Sequence, residues 1–461
     1  MPAPDSPPII VARFLKANNY NNTLSAFITE AGLSPDAGTI VKGDLTIEKI
    51  LEEKKVFDLT LRFEKSGLED EGKWTLPGRF MSLFAIVFPS DATLSAPSNP
   101  NQISTLPSAT NVLHVSVQDF HGETPFQLLI ASTADRKLHF INTDKTFSIH
   151  KSLPSLQDSP ILSCISVGEQ GLKTITTGMS GQVLLYDHET GRVLDERKDH
   201  AKYVVKVATW NEIIVTAGWD NKVFLYHANN HFSSLGVPVA AITLSTNPET
   251  ITFVEHPDSH RPILLVTRRD STSLYYYSLK LKLLGSQNLA PHSNSWITFT
   301  PSSVEICPKD STLLAVATSA VPHMKVIIVR LLLPPLTEPP SIVASPTTQA
   351  AQTRSNLAIQ EREEAAIQVH VSTMAPQTPY STPQVVWRRD GAGVFVNGDD
   401  GVIRGLEAKT GKIVATLKGG HEVGSKIRSI WCGLIKVEGG KEEWLVSGGF
   451  DRRLVVWKSN K

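Results

Sequence analysis

The chain has 461 residues, 41% of them apolar, and its 45 Lys and Arg balance 45 Asp and Glu for a net charge of zero. That length exceeds one ordinary domain but suits a closed repeat array, and the apolar share supports a large core. A neutral chain without a basic stripe argues against nucleic acid as a partner, and three distant cysteines (Cys164, Cys307 and Cys432) with no CxxC pair read as buried reduced thiols, not a metal site.

The N-terminal MPAPDSPPII lacks the basic start and long apolar run of a secretory signal. The longest apolar runs, 81–88 and 326–333, are broken by Ser82 and Arg330 and fall short of the roughly 20 residues that span a bilayer. The expectation is a soluble intracellular protein, cytoplasmic or nuclear, without membrane contact.

Residues 1–40 predict a helical hairpin. Pro7 and Pro8 suit a helix start, where a missing N–H does no harm. Ile10, Phe14 and Ala17 then share a face, with Val11 and Leu15 beside them. Asn18 and Asn19 interrupt, Asn21 or Asn22 can cap a second helix, Leu24, Phe27 and Ile28 form its apolar face, and Gly32 stops it. Two helices of this length bury too little alone and gain stability by pairing with a copy of themselves. The stretch FLKANNYNNTLSAFITEAGL, with Tyr20, Thr23, Phe27, Glu30 and Leu33 in register, resembles the LisH motif. The resemblance implies homodimerisation through Phe14, Leu15, Tyr20, Leu24 and Phe27 in a four-helix bundle. The competing reading is a hairpin packed on the rest of its own chain.

Residues 41–77 predict a helical stem, capped by Asp44 or Thr46 and stopped by Gly67. Residues 78–110 form a linker. Within it, 78–95 (GRFMSLFAIVFPSDATLS) departs abruptly in composition, and its flanks TLP and APSNP would join smoothly without it. Two readings stand: a strand that closes the array described next, or inserted sequence such as an unspliced intron.

From 111 to 461 one unit recurs: an apolar strand, a small-residue turn with Asp or Ser, and a second apolar strand. The copies are LLIASTADRKLHFI, KTITTGMSGQVLLYD, EIIVTAGWDNKVFLY, ILLVTRRDSTSLYYY, the degenerate LLAVATSAVPHMKVIIV, GVFVNGDDGVIRGLE and WLVSGGFDRRLVVWK. Most have a further short strand on either side. Strands at such intervals point to an all-β array. Gly178, Gly218, Gly398 and Gly448 are expected in tight turns. A turn Asp buried between strands needs donors, and an imidazole N–H with a hydroxyl behind it supplies them. His200, Thr216, Asp220 and Tyr226 have this order in the third copy; His421, Ser447, Asp451 and Trp457 have it in the seventh. Asp135 and Asp400 hold the turn position elsewhere, replaced by Ser180 and Ser271 in two copies.

This pattern resembles the WD-repeat β-propellers. The resemblance implies a mainly β chain, a seven-bladed propeller with the N-terminal LisH-like hairpin and stem, in which those His, hydroxyl, Asp and Trp residues lock each blade by hydrogen bonds. The last copy ends after its third strand. Its outer strand is then expected from upstream, at 80–88 or 101–106. The Pro-, Ser- and Thr-rich start of the insertion 334–383 reads as disordered. Residues 356–366 carry a helical tint, and AIQVHVS (366–372) reads as an outer strand.

No GxSxG elbow, GxxxxGK[ST] loop, HExxH or Ca-loop pattern is present, so neither cofactor nor metal is expected. The resemblance implies a non-enzymatic scaffold that binds proteins or peptides on the propeller face and self-associates through the hairpin. Trp219 and Phe450, one residue before the turn Asp, and Tyr203, three after His200, are the expected anchors. The alternatives are a ubiquitin-ligase subunit or substrate receptor, and an enzyme working in the central channel. His188 and Glu189 after Tyr186–Asp187 fit the receptor poorly. The enzyme would need repeated acidic residues beside His114 and His139, which the sequence lacks.

Overall fold

The computed structural model describes residues 6–40, 44, 46–48, 96–103, 106, 109–121, 126–168, 171–229, 231–291, 299–336, 349–437 and 440–459. The expected stem, apart from 44 and 46–48, lies outside these residues, as do the segment 78–95 and part of the insertion, 337–348. The chain divides into two units, Met1–Asp70 and Glu71–Lys461.

The first unit carries α1 (Pro7–Ala17) and α2 (Asn21–Glu30). The prolines occupy the first turn of α1. Asn18 ends it, its amide donating to the Phe14 carbonyl at 3.0 Å, and Asn19 turns the chain in a left-handed conformation (φ 60°) that Asn tolerates. Asn21 and Asn22 are not caps: they lie inside α2, whose N-cap is Tyr20. Gly32 (φ 61°) ends α2. The hairpin has little interior. No residue of α2 is buried, Phe14, Leu15, Leu24 and Phe27 are half-buried, and Tyr20 is 53% exposed.

The second unit is a seven-bladed β-propeller of four-stranded antiparallel sheets. The first blade is β2 (Val112–Phe120), β3 (Phe126–Thr133), β4 (Lys137–Asn142) and β5 (Ile149–Pro154). The second is β6 (Ile161–Val167), β7 (Lys173–Gly178), β8 (Val183–Asp187) and β9 (Arg192–Arg197). The third is β10 (Val204–Trp210), β11 (Ile213–Gly218), β12 (Lys222–His227) and β13 (Pro238–Thr243). The fourth is β14 (Pro248–Glu255), β15 (Pro262–Arg268), β16 (Ser273–Tyr277) and β17 (Leu283–Asn288). The fifth is β18 (Pro301–Cys307), β19 (Asp310–Thr318), β20 (His323–Arg330) and β21 (Ile367–Pro376). The sixth is β22 (Val385–Trp387), β23 (Gly393–Val396), β24 (Ile403–Glu407) and β25 (Ile413–Leu417). The seventh is β26 (Ile427–Val437), β27 (Gly440–Gly449) and β28 (Leu454–Lys458), completed by β1 (Asn99–Gln102) from upstream.

The first strand of each blade touches the first strand of the next, from β2 through β6, β10, β14, β18, β22 and β26 back to β2. That cycle encloses a central channel. The seven apolar clusters lie between neighbouring blades; one joins Val112, Leu129 and Ile141 of the first to Trp444, Val446 and Val456 of the last. The second and third strands are covered on both faces, so they read as unbroken apolar runs, whereas the outer strands β9 and β13 alternate or lie open.

β1 settles the ring closure. Asn99–Gln102 pairs antiparallel with Lys458–Val455, flanked by Ser98 N–H to Lys458 O (2.9 Å) and Ile103 N–H to Leu454 O (2.8 Å). β28 therefore has both edges paired, by β27 and by β1, and 80–88 is not its partner. Within the insertion, Gln349–Ala366 is a helix, α3, so the part of the expected disordered stretch from 349 onward is ordered. Glu363 accepts the Asn288 N–H of β17 at 2.7 Å, and α3 leads directly into β21. No helix among the described residues is long and apolar enough to cross a membrane.

Candidate partner-binding face

Antiparallel order puts the entry to each blade and the turn between its second and third strands at the same end of the ring. One backbone hydrogen bond recurs there, from the turn to the residue just before the first strand. It joins Ala134 to Asn111, Met179 to Pro160, Trp219 to Tyr203, Arg269 to Asn247, Ser319 to Thr300 and Phe450 to Lys426, at 2.8–3.1 Å. Trp219 and Phe450 thus hold equivalent positions on blades three and seven, on well-separated parts of the rim.

Behind this rim sit the blade locks. A carboxylate only accepts, so His421 Nδ1 carries the proton given to Asp451 (3.0 Å). His421 Nε2 then accepts from Ser447 Oγ (2.8 Å), and Ser447 accepts from Trp457 Nε1 (2.8 Å). Asp451 also takes the Glu422 and Arg453 N–H groups at 2.9 and 3.2 Å. The third blade repeats the chain from Asp220 to His200 (3.0 Å) to Thr216 (2.8 Å), but Tyr226 donates to Asp199 (3.2 Å) instead. Burial lowers the His200 pKa, against the pull of Asp220, and keeps the ring neutral. Asp135 is held by Thr110, Thr133 and Lys137, and Asp400 by Arg404. Gly218 and Gly448 are not in left-handed turns. A Cβ on Gly218 would lie 2.2 Å from His200 Nδ1, and one on Gly448 2.4 Å from the Val112 side chain; close packing, not turn geometry, demands glycine there.

On the rim, Tyr203 and Trp219 stack with ring centroids 4.7 Å apart. Arg269 covers the Trp219 ring at 4.7 Å and pairs with Glu249 at 2.7 Å. Asn247 Nδ2 donates to the Trp219 carbonyl at 2.7 Å. Phe450 is not part of this stack; it stands 41% exposed on the seventh blade. Near it on the same face are Tyr380 and Val423, 87% and 99% exposed, in the loops that enter the sixth and seventh blades. Asp399 ties that sector together by accepting from Ser381 Oγ (2.5 Å) and Lys426 Nζ (2.9 Å). Met179, 49% exposed, occupies the turn position on the second blade. Sequence reasoning missed Met179, Tyr380, Val423 and Arg269. Arg269 was masked because the turn hydroxyl of its copy, Ser271, stands one residue later than Asp220 does.

The channel behind the rim is charged. Lys206 of the third blade influences His114 of the first, Cys164 of the second and Glu305 of the fifth. Arg428 of the seventh influences His114, Tyr203 and Glu249 of blades one, three and four. Lys206, His114 and Glu305 stand on first strands, the innermost of their blades, and Arg428 on that of the seventh, so charges from distant parts of the chain come within electrostatic reach of one another. Water reaches Lys206, yet the ring encloses it, and this burial lowers its pKa. Burial likewise raises the Glu305 carboxyl to about 7 and lowers His114 to about 3. Glu305 accepts the Trp387 N–H at 2.7 Å. His139 lies on β4, bonded to Ser152 at 2.8 Å, and not on a channel strand. Among the described residues no group of three or more His, Cys, Asp or Glu is arranged to hold a metal.

Two family models match the chain, both described under UCP007778: its beta-propeller domain over residues 100–458 and its LisH domain over residues 9–35. No curated protein matches. The two domains together form an architecture suited to protein interaction.

Proposed function

The chain belongs to the UCP007778 family, and from that premise we propose that it is a non-enzymatic dimeric scaffold whose propeller captures partner proteins on the rim. The observation that carries the reading is the Tyr203–Trp219–Arg269 stack on the rim, with Phe450, Tyr380 and Val423 exposed further round the same face. Aromatic and Arg side chains of this kind are the usual anchors of protein interfaces. The hairpin supports self-association, because its apolar residues are left half-covered. Pairing two binding heads raises effective concentration, so modest contacts at each rim become avidity.

Replacing Trp219 and Phe450 together by Ala tests the rim. Neither side chain is in a blade lock, so the variant still folds cooperatively, with its stability lowered by about 1 kcal/mol for the lost Tyr203 stack. Proteins that co-purify with the tagged wild type are lost. Unchanged co-purification from a folded double variant counts against the site.

A further inference from the structure

We propose that the channel mouth receives an anionic side chain, carboxylate or phosphoryl, from the protein docked on the rim, with Arg428 and Lys206 as its receptors and the Tyr203–Trp219 stack as its wall. This deepens the rim reading and rests on it.

The argument begins with unspent charge. Arg428 and Lys206 both project from first strands, which surround the axis. In each strand the pairing register shifts at the bulge that brackets or adjoins the cation, between Ile427 and Ser429 and between Val204 and Lys206. The same bulge opens the first strands of blades one, two, four and five, so it belongs to the ring, and what is particular to these two strands is the cation placed there. Among the described residues neither cation makes a hydrogen bond or an ion pair. The two carboxylates of the same channel are engaged elsewhere: Glu249 with Arg269 at 2.7 Å, and Glu305 with the Trp387 N–H at 2.7 Å. Elsewhere on the rim Lys426 pairs with Asp399 and Arg453 with Glu422.

A third group points the same way. His114 Nε2 is buried without a hydrogen-bond partner, in the channel where both cations are felt. A neutral imidazole with its proton on that nitrogen is a donor to an anion. Arg428 is half-buried without a contacting counter-charge, which is costly, and enclosure by the ring lowers the pKa of both cations although water still reaches Lys206. An entering anion would relieve that cost. A guanidinium fork matches the planar or tetrahedral oxygens of carboxylate and phosphate. Tyr203, stacked on Trp219, immediately precedes the strand that carries Lys206, so the aromatic stack borders the anion site.

The test uses full-length protein and three fluorescein-labelled peptides of one Gly/Ser frame, carrying Glu, phosphoserine or Lys at alternate positions, followed by anisotropy. The wild type binds the Glu or the phosphoserine peptide and not the Lys peptide, and the stronger of the two acidic arms identifies the source of the anion. The K206Q/R428Q variant loses about tenfold or more in affinity, as truncating paired charges at an interface does. The charge-keeping K206R/R428K variant recovers most of it. Equal binding of the Lys peptide, undiminished binding by K206Q/R428Q, an equal loss in both double variants, or displacement of no peptide because none binds, each overturns the proposal. Partner capture separates this from the rim reading. If the Trp219/Phe450 double variant loses partners while K206Q/R428Q keeps them, the rim stands and the anion site falls; if neither loses them, both fall.

Discussion

Asp451 shows how much one side chain carries. It is fully buried and accepts from His421 and from the N–H groups of Glu422 and Arg453. Asp451→Ala would orphan these donors together and should cost about 3 kcal/mol of stability. Asp451→Asn keeps one acceptor oxygen and should cost less; urea unfolding of the two variants checks the order, and equal stability would remove the lock its role. Histidines set the acid response. Burial lowers His114 to about 3 and His188 to about 4. As pH falls below about 6.5 the unfolded chain takes up those protons first, so each group removes up to about 1.4 kcal/mol of stability per pH unit. Glu305, raised to about 7, acts in the opposite sense: it holds its proton longer when folded, so stability is lost as pH rises from about 4.5 toward 7. His139, His200 and His370 are lowered as well, against Glu249 and Glu443 raised beside Glu305, so five histidines outweigh three glutamates and the urea midpoint should fall between pH 6.5 and pH 5. A midpoint that rises over that interval would contradict the assignment of these groups as buried.

At the scale of elements the seventh blade is the exposed point of the design. Its outer strand, Asn99–Gln102, has no apolar side chain and includes Pro100, which a one-sided edge strand tolerates. The anchor is Ile103, buried against the cluster that holds Phe147 and Trp444. Ile103→Ala should cost about 2–4 kcal/mol, and deletion of 98–103 should free the β28 edge and produce concentration-dependent association; a monodisperse, equally stable deletion variant would show that closure adds nothing. The same elements explain what could be read in advance. The second and third strands are enclosed by neighbours, so their apolar runs announce them, and the His, hydroxyl, Asp order marks two blades. β1 has only polar residues and a proline, so nothing in its own pattern signals a strand; the strand edge left open at 454–458 does. α3 is polar around most of its surface and is held by Glu363 and Ala366, two residues within one turn, too few to print an apolar period on the sequence. Tyr203 and Trp219 could be paired from their spacing. Arg428 and Lys206 could not, because a channel built by seven strands from distant parts of the chain brings them into one field.

For the whole molecule, the ring supplies a rim, and the hairpin, among the described residues, supplies a face that is only partly covered. Every blade interface carries its own apolar cluster, so the propeller needs no second copy to bury its interior. The hairpin is different: α2 buries none of its residues, and Tyr20, Leu24 and Phe27 are left at least partly open to water. Burying such a face in a second copy is worth about 1.5–3 kcal/mol for each large side chain fully covered. Self-association is therefore the step on which the two-headed scaffold depends. Light scattering of the full-length chain at tens of micromolar tests it most directly. The account predicts a mass twice the 50.4 kDa of one chain, falling to the single-chain value when Phe27→Asp places a charge in the face. A wild-type mass of one chain at that concentration would contradict it.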